Sequence, residues 1–302
     1  MKTKADQINN LKPKRRFNIE PWFYLGPALL MILIVYLYPL VEVFRESFLD
    51  IRKWPGTFIG LRNYKIVFTD DKFYLSLLHN IELLLIIPII IFIALIIAVI
   101  LHEKVFGAKF YRSIIFIPYI VPLVAIGIAF SFFFQFRGGF NQLLDLLGLD
   151  FLIMDWLGNI RLALPTVAIA IIWRELGFAI ILFVARLGSV SEDIVEASII
   201  DGAGWWTRFF KIYIPQLANV IEFYVIISII TMLSQIFGFI FVMTNGGPAN
   251  ATWVSELYIY KQAFQFNHMG AAAVTAVVLI VITISLVLVS YKFRRRIVEE
   301  YE

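Results

Sequence analysis

The stretch that decides the fold is Leu83 to Leu101, LLLIIPIIIFIALIIAVIL, a run of 19 residues without a charge. It contains nine isoleucines, five leucines, one valine and one phenylalanine. An α-helix of about 20 apolar residues crosses the hydrocarbon core of a bilayer. On an insertion scale this composition favours the membrane by about 5–9 kcal/mol. The run therefore predicts a transmembrane helix that inserts without help from its neighbours.

The rest of the chain shares this apolar character. Hydrophobic residues make up 61% of the 302 residues and charged residues only 16%, whereas a soluble domain carries about 25% charged residues. An ordinary soluble protein is therefore excluded. A β-barrel is excluded too, because its strands are about ten residues long and alternate with polar residues. The sequence predicts an all-α polytopic membrane protein with six transmembrane helices, roughly at residues 22–45, 78–101, 112–136, 162–186, 214–242 and 269–291.

The basic residues are distributed unequally between the two sides of these six spans. Sixteen of the 26 Lys and Arg residues fall in the N-terminal segment, in residues 102–112, in residues 187–213 with the adjoining Arg186, and near the end of the chain, against nine in the alternate segments. Cytoplasmic segments are enriched in Lys and Arg, so both termini and these two loops are predicted to be cytoplasmic. The net charge of +4 then reflects topology, and no nucleic-acid partner is predicted.

The chain is predicted to form one membrane domain with short tails. Residues 1–20 and 293–302 are read as cytoplasmic tails around a six-helix domain at 21–292, with a cytoplasmic loop at 187–214. A cleaved signal peptide is the alternative for the first span, because basic residues precede it. Its apolar run is longer than the core of a signal peptide, and no small-x-small cleavage site follows Val41, so we expect it to be retained.

The most specific signal lies in the cytoplasmic loop, at residues 191–217, SEDIVEASIIDGAGWWTRFFKIYIPQL. Ser191 and the acids after it are typical of a helix start, whereas Gly202 and Gly204 break the helix. A second helical segment is expected up to Pro215. The predicted structure is a helix, a glycine turn and a helix. It is either a surface approached closely by another protein or an ordinary amphipathic connector on the bilayer.

One motif in this loop resembles a known family. The order Glu196-Ala-Ser-x-x-Asp201-Gly-Ala203, followed by Pro215, resembles the EAA signature of ABC importer permeases, with Ser198 where the family more often has Ala. The resemblance extends over roughly residues 20–292 and points to the carbohydrate-uptake branch, which includes maltose-type and glycerol-phosphate-type permeases. Its other segments are Phe58–Tyr64, Ile117–Pro122 and Thr244–Thr252.

The resemblance implies a permease subunit that is not an enzyme. It implies a bacterial or archaeal plasma membrane, a second homologous permease as a heterodimer partner, a cytoplasmic ATPase dimer, an external solute-binding protein, and a sugar or oligosaccharide as substrate. The loop would dock on the ATPase as a coupling helix. ATP and Mg would be bound by that partner, because the chain has no Gly-Lys dipeptide and hence no P-loop. The implied coupling residues are Glu196, Ala197, Ser198, Asp201, Gly202, Ala203 and Pro215.

Two charges lie near the middle of the fourth predicted span. Arg174 and Glu175 are its thirteenth and fourteenth residues from Leu162, and a central Arg costs about 2.5–3.5 kcal/mol on the insertion scale. The helix is therefore predicted to depend on its neighbours. Charges inside a membrane usually mark a functional path, here the translocation path. The alternative is that the two residues only fix helix packing.

The fifth predicted span carries a polar stripe made by Ser228, Thr231 and Gln235 at i, i+3 and i+7. Such residues either line the path with Arg174 and Glu175 or serve helix packing. A sugar also needs an aromatic face, for which the candidates are Trp173, Phe178 and Phe237. The predicted substrate-path residues are Arg174, Glu175, Phe178, Ser228, Thr231 and Gln235.

Two other function classes are kept as alternatives. An ion-coupled secondary carrier or a channel acting alone would be expected to have acids at mid-depth on several helices or broken helices in matched halves, and only one charged pair is predicted there. A membrane enzyme is disfavoured because no catalytic constellation is visible. The chain has no cysteine and only three well-separated histidines, so neither a catalytic site nor a metal site is predicted.

Overall fold

The computed structural model describes residues 20–52, 56–103 and 106–299. The chain divides into two compact units, residues 1–45 and residues 46–302. The predicted N-terminal tail, with its basic residues, lies almost wholly outside the described residues. The last helix continues to Glu299, so part of the predicted C-terminal tail is helical, although its final residues and the side chains of 293–299 lie outside the description.

The described part of the first unit is a helix that matches the first predicted span. It consists of α1 (Glu20–Ile32), a π-helical turn at Leu33–Leu37, and α2 (Tyr38–Glu46), which reaches just past the boundary of the unit. The π-helical turn ends two residues before Pro39. Because proline has no backbone N–H for the carbonyl four residues earlier, a locally wider turn is a common way to keep the helix continuous.

The second unit is helical apart from two short strands, β1 (Leu49–Asp50) and β2 (Thr57–Phe58), which pair antiparallel with Leu49 opposite Phe58. Its helices are α3 (Arg62–Phe68), α4 (Asp71–Leu84), α5 (Ile86–His102), α6 (Ala108–Ile120), α7 (Leu123–Phe133), α8 (Gly139–Leu146), α9 (Ala163–Leu187), α10 (Glu192–Ile200), α11 (Trp205–Arg208), α12 (Ile214–Ser234), α13 (Phe237–Met243), α14 (Ser255–Tyr260) and α15 (Met269–Glu299).

The core lies where α5 packs along α9, the most extensive helix pair of the described chain. Ala94 and Ala98 of α5 and Ala170 and Ala179 of α9 are completely buried. Small side chains let membrane helices approach closely, so that van der Waals packing holds them together where lipid supplies no hydrophobic driving force. Most of the apolar run Leu83–Leu101 thus belongs to α5, and α5 packs against α9, the fourth predicted span, which carries Arg174 and Glu175.

The third predicted span is not one straight helix. α6 and α7 are bent by 94° where they meet, and Val121 there has an extended backbone with φ −65° and ψ 136°. Pro122 disfavours the helical conformation of the residue before it, which explains the position of the break. Among the described residues, five helices are long and apolar enough to cross a membrane, or six if this bent pair forms one span.

The fifth predicted span, 214–242, is also interrupted. α12 ends at Ser234 and α13 starts at Phe237. The side-chain amide of Asn80 donates to the carbonyl of Met232 at 3.1 Å. The carboxyl group of Glu256 lies next to the backbone N–H groups of Ile236 and Phe237, where α13 begins. Asn80 thus satisfies a backbone group that a continuous helix would have paired, and neither side chain was predicted from the sequence.

Candidate functional site

The loop at residues 187–214 contains the predicted helix. α10 runs from Glu192 to Ile200, with Ser191 at its N-cap and two acids in its first turn, and it has no buried residue. Acids at this end are stabilised by the helix dipole. The order of helix, glycine turn and helix is therefore confirmed, and every residue of α10 lies at the surface or only partly covered.

Gly202 makes the turn that ends α10. Its φ is +79°, its N–H donates to the carbonyl of Ile199 at 3.0 Å, and the N–H of Ala203 donates to the carbonyl of Ser198 at 2.9 Å. This pair of bonds is a Schellman motif, which needs a left-handed residue at the position of Gly202. A glycine adopts this conformation without steric cost, so the Asp-Gly order in the sequence has a direct structural reason.

The other predicted coupling residues are distributed around this turn. Glu196, Ala197 and Asp201 are exposed, and Ala203 is half-buried. The hydroxyl of Ser198 donates to the carbonyl of Val195 at 2.6 Å, so it serves its own helix. The structure thus places these five side chains on or beside one short exposed helix, and their roles in coupling stay a prediction.

We had predicted from the sequence that the second helical segment of the loop ends at Pro215, and this prediction is wrong. α11 continues through a π-helical turn at Phe209–Tyr213 into α12, so residues 205–234 form one long helix with Pro215 near the start of α12. The π-helical turn again ends two residues before the proline, as it does before Pro39. A proline therefore does not separate loop from span where the preceding turn widens to accommodate it.

The exposed apolar residues of α10 were missed in the sequence. Ile200 is 86% exposed, and Ile199 and Ile194 are also exposed. The structure presents these isoleucines beside the exposed acids Glu196 and Asp201. The position of Ile199 and Ile200 directly before Asp201-Gly202 was a sequence signal that could have identified these two residues. Exposed apolar side chains among charged ones are typical of a surface that another protein covers.

The intramembrane polar residues form a cluster around Arg174. Its guanidinium contacts the carboxylate of Glu175, and the guanidinium carbon lies 4.6 Å from the centre of the Tyr119 ring. Glu175 is 3% exposed and Arg174 16%. A buried charge needs a partner of opposite sign, and the ring face of Tyr119 adds a cation–π contact. Tyr119 of α6 was missed, although it lies in the Ile117–Pro122 segment that carried part of the resemblance.

Phe178 joins this cluster one turn further along α9. Its ring stacks on that of Tyr119 with centres 4.7 Å apart, and it lies 6.1 Å from the ring of Tyr224 on α12. A Cβ at Gly177 would come within 2.5 Å of the Ile115 carbonyl oxygen. The absence of a side chain at Gly177 therefore lets α6 approach α9 closely enough to bring Tyr119 to Arg174.

Three buried polar atoms of the cluster have no hydrogen-bond partner of normal geometry in the described chain: Arg174 Nε, Tyr224 Oη and Ser228 Oγ. The two hydroxyls lie one turn apart on α12, and they are close enough to interact electrostatically. Such atoms are rare in folded proteins and are commonly satisfied by water or a ligand. We refer to Tyr119, Arg174, Glu175, Phe178, Tyr224 and Ser228 as the polar cluster.

The other two residues of the predicted polar stripe, Thr231 and Gln235, lie on opposite sides of the end of α12. Thr231 is buried one turn beyond Ser228, whereas Gln235 is the exposed C-cap of α12. The prediction that Gln235 continues the stripe is wrong, because the helix that would carry it has ended. Tyr224, four residues before Ser228, extends the stripe in the opposite direction, and that spacing was visible in the sequence.

The candidate aromatic residues are also separated in space. Trp173 packs against Phe130 at 5.3 Å, and Phe237 against Phe241 at 5.2 Å, each in a different aromatic group. Of the three, only Phe178 lies in the polar cluster. In the described ranges no group of three or more His, Asp or Glu side chains could hold a metal ion.

Comparison with known proteins identifies a family. Residues 90–299 match the family described as binding-protein-dependent transport system inner membrane component. The probable ABC transporter permease protein YurN of Bacillus subtilis is 33% identical over 285 residues, which cover 91% of this chain and 96% of the relative. The lactose transport system permease protein LacF of Rhizobium radiobacter is 32% identical, covering 94% of this chain and 97% of the relative.

A solved structure has the same fold. One chain of a bacterial ABC transporter involved in the import of the acidic polysaccharide alginate superposes with a TM-score of 0.78 at 23% identity, covering 92% of this chain and 97% of that chain. The family match spans more than half of this chain, and the resemblance noted in the loop sequence is confirmed. This chain belongs to the binding-protein-dependent transport system inner membrane components, the permease subunits of ABC importers.

Proposed function

We propose that this chain forms, with a second homologous permease subunit as a heterodimer, the translocation path of an ABC importer for a sugar or oligosaccharide. An external solute-binding protein delivers the substrate, as the family description implies. LacF, one of the relatives, is named for lactose transport, which favours a carbohydrate. The observation that carries the proposal is the family match over residues 90–299, and it favours this function over an ion-coupled carrier or a channel acting alone.

The proposed topology has six spans in a bacterial or archaeal plasma membrane, with the bent pair α6 and α7 counted as one. Both termini and residues 187–214 lie in the cytoplasm. The support is the excess of Lys and Arg in these segments, sixteen against nine, since cytoplasmic loops carry such an excess. The α6–α7 break is tolerated where irregular backbone is covered by protein or lines a cavity.

In the proposed mechanism α10 docks into a cleft of a cytoplasmic ATPase dimer, which binds ATP and Mg. Ile199 and Ile200 are exposed at its end, and the exposed carboxylates of Glu196 and Asp201 would accept charge-assisted hydrogen bonds from basic side chains of the partner. The Schellman motif at Gly202 fixes the direction in which the chain leaves the docked helix. Closure of the ATPase dimer then moves the loop and switches the path between outward and inward access.

The polar cluster is proposed to line the path. Hydroxyls of Tyr224 and Ser228 would donate to or accept from sugar hydroxyls, and the stacked rings of Tyr119 and Phe178 would offer an apolar face. Because Arg174 is already paired with Glu175, the cluster carries little net charge. We therefore propose a neutral saccharide rather than an anionic one.

Reconstitution in proteoliposomes tests the proposal. The chain, its second permease, the ATPase subunits and the binding protein should import a saccharide only when ATP is present. Import by this chain alone, driven by an ion gradient and indifferent to ATP, would overturn the proposal in favour of a carrier. Competition with lactose and with galacturonate separates the substrate classes, and we expect lactose alone to compete. Competition by galacturonate alone would contradict the neutral-saccharide assignment.

A further inference from the structure

One carboxylate at the end of α5 connects that helix to residues 187–214, which we call the coupling loop because of their proposed role. Glu103 is the residue directly after α5. Its Oε1 accepts hydrogen bonds from the guanidinium of Arg208 and from the hydroxyl of Tyr213, both at 3.1 Å. Its Oε2 accepts one from the indole N–H of Trp205 at 3.0 Å. All three donors belong to the helix that follows the glycine turn, more than 100 positions away along the chain.

Arg208 extends this connection back to the turn itself. Its second terminal nitrogen donates to the carbonyl of Ala203 at 3.1 Å, directly after Gly202. The guanidinium therefore bridges the backbone of the turn and the carboxylate of Glu103. The side chains of Arg208 and Glu103 are 15% and 28% exposed, so they are partly shielded from water. Hydrogen bonds between charged groups are about twice as strong as neutral ones.

The donors are held in place by their own packing. The Trp205 ring stacks on Phe209 with centres 5.2 Å apart, while Phe209 and Tyr213 are buried. The ring of Tyr213 also lies 6.2 Å from that of His102, the last residue of α5. A displacement of the segment after Gly202 therefore cannot occur without moving Glu103 or breaking three hydrogen bonds and these contacts.

From this geometry we propose that Glu103 is a positioning residue that passes the movement of the coupling loop to α5. Because α5 packs along α9 more extensively than any other pair in the described chain, the movement reaches the helix that carries Arg174 and Glu175. This inference rests on the proposed docking of α10 on an ATPase, and it adds a second connection besides the covalent one through residues 205–234.

Two fluorescent labels test the connection without knowledge of the substrate. The chain has no cysteine, so single cysteines at the exposed positions Ile200 in α10 and Ile100 in α5 can each carry an environment-sensitive probe. The importer is assembled with its ATPase subunits, and the probes are read before and after trapping with MgATP and orthovanadate. In the otherwise unchanged chain both probes should respond.

Glu103→Gln is the decisive variant, because it keeps the shape of the side chain and removes the charge that holds Arg208. We expect the response at Ile100 to fall by about tenfold, the scale of one charge-assisted hydrogen bond, while the response at Ile200 persists. Trp205→Phe is the matched control, since it removes only a neutral donor and keeps the ring stacked on Phe209. It should reduce the Ile100 response much less.

Each other outcome decides a separate point. No response at Ile200 in the otherwise unchanged chain contradicts the proposed docking itself. If Ile200 responds and Ile100 does not, the docking stands and the connection through Glu103 is wrong. Equal responses in Glu103→Gln and the otherwise unchanged chain also overturn the connection. Loss of both responses in Glu103→Gln, with Glu103→Asp failing to restore them, assigns Glu103 to the fold of the loop alone and overturns its positioning role.

Discussion

The coupling loop and the polar cluster differ in which groups are exposed and which are buried. In the loop, backbone groups are satisfied locally by the turn at Gly202, while isoleucine side chains such as Ile200 stand exposed. In the polar cluster, aromatic rings provide the packing, while Arg174 Nε, Tyr224 Oη and Ser228 Oγ are buried with no hydrogen-bond partner of normal geometry in the described chain. The loop therefore exposes apolar side chains to solvent, whereas the polar cluster buries polar atoms.

This difference indicates what each region binds. Apolar side chains exposed on a rigid helix are stabilised when a protein surface covers them. Buried polar atoms without partners are stabilised by water or by a polar ligand. The same chain is therefore expected to offer a protein-docking surface in residues 187–214 and, between its helices, a site for a polar ligand. Mutations that affect one region and not the other test this separation.

The largest effect is expected from Glu175→Leu. This change leaves Arg174 buried without its partner, and breaking a buried ion pair on one side costs about 3–5 kcal/mol. Thermal unfolding of the assembled complex in detergent should show a strongly lowered Tm, and the double variant Arg174→Met/Glu175→Leu should recover most of it. Glu196→Leu is the control in the loop, where an exposed acid changes stability by less than about 0.5 kcal/mol. Equal destabilisation by the two single variants would remove the contrast.

Gly177→Ala tests whether the cluster depends on the close approach of α6 to α9. The added Cβ would meet the Ile115 carbonyl at 2.5 Å, so the helices must separate, at a cost of about 1–3 kcal/mol. Both Tm and saccharide uptake should fall, because Tyr119 moves away from Arg174. Gly188→Ala is the control, since its nearest neighbour there is 3.5 Å away. A wild-type uptake rate in Gly177→Ala would show that Tyr119 need not contact Arg174.

Gly202→Val tests the loop without touching any neighbour. No atom lies within 4 Å of a Cβ at Gly202, so the whole penalty comes from its positive φ and is about 1–2 kcal/mol. ATP-driven uptake should be lost while the Tm of the permease falls by only a few degrees, as expected for a penalty of this size. Gly204→Ala is matched to it, because that residue has a φ of −64° and an equally open surrounding. Undiminished uptake in Gly202→Val would contradict the docking role of the turn.

Glu256 is a half-buried acid with no basic partner in the described chain, and it provides a comparison with Glu175, which is paired with Arg174. Burial raises its pKa from 4.5 to about 8, and one carboxylate oxygen has no hydrogen-bond partner in the described chain. A folded-state pKa above the unfolded value means that the carboxyl stabilises the fold at low pH and that this stability is lost as pH rises through 8. The Tm should therefore fall between about pH 4.5 and 8 and level off above that range, and Glu256→Gln should flatten that slope. An unchanged slope in Glu256→Gln would assign it to other groups.

The smallest effect on stability is expected from Tyr224→Phe and Ser228→Ala. Removing a buried hydroxyl that has no partner is nearly neutral or slightly stabilising, within about 1 kcal/mol. If the hydroxyls contact substrate, the KM of uptake should rise while the Tm holds. Thr275→Val removes a hydroxyl that is satisfied by the Ala271 carbonyl at 2.9 Å, and it should leave KM unchanged. A lowered Tm with an unchanged KM in Ser228→Ala would instead indicate helix packing.

Much of the fold could be predicted because lipid imposes a simple rule. Backbone groups must be satisfied inside each span, so long apolar runs such as Leu83–Leu101 become helices. Prolines and helix breaks were harder to predict. Pro122 bends its span by 94°, whereas Pro39 and Pro215 each follow a π-helical turn in a continuous helix. The outcome depends on whether the turn before the proline widens, as it does at Leu33–Leu37 and Phe209–Tyr213.

The sequence by itself determined the apolar helices and the Asp201-Gly202 turn, because their causes are local. Hydrophobic length sets a span, and a positive φ requires glycine within one turn of chain. Only the tertiary structure brought Tyr119 and Tyr224 to Arg174, ended α12 before Gln235, and placed Glu103 among donors from the far side of the loop. Such contacts join residues dozens of positions apart, and they are decided by which helix faces pack together rather than by any local pattern.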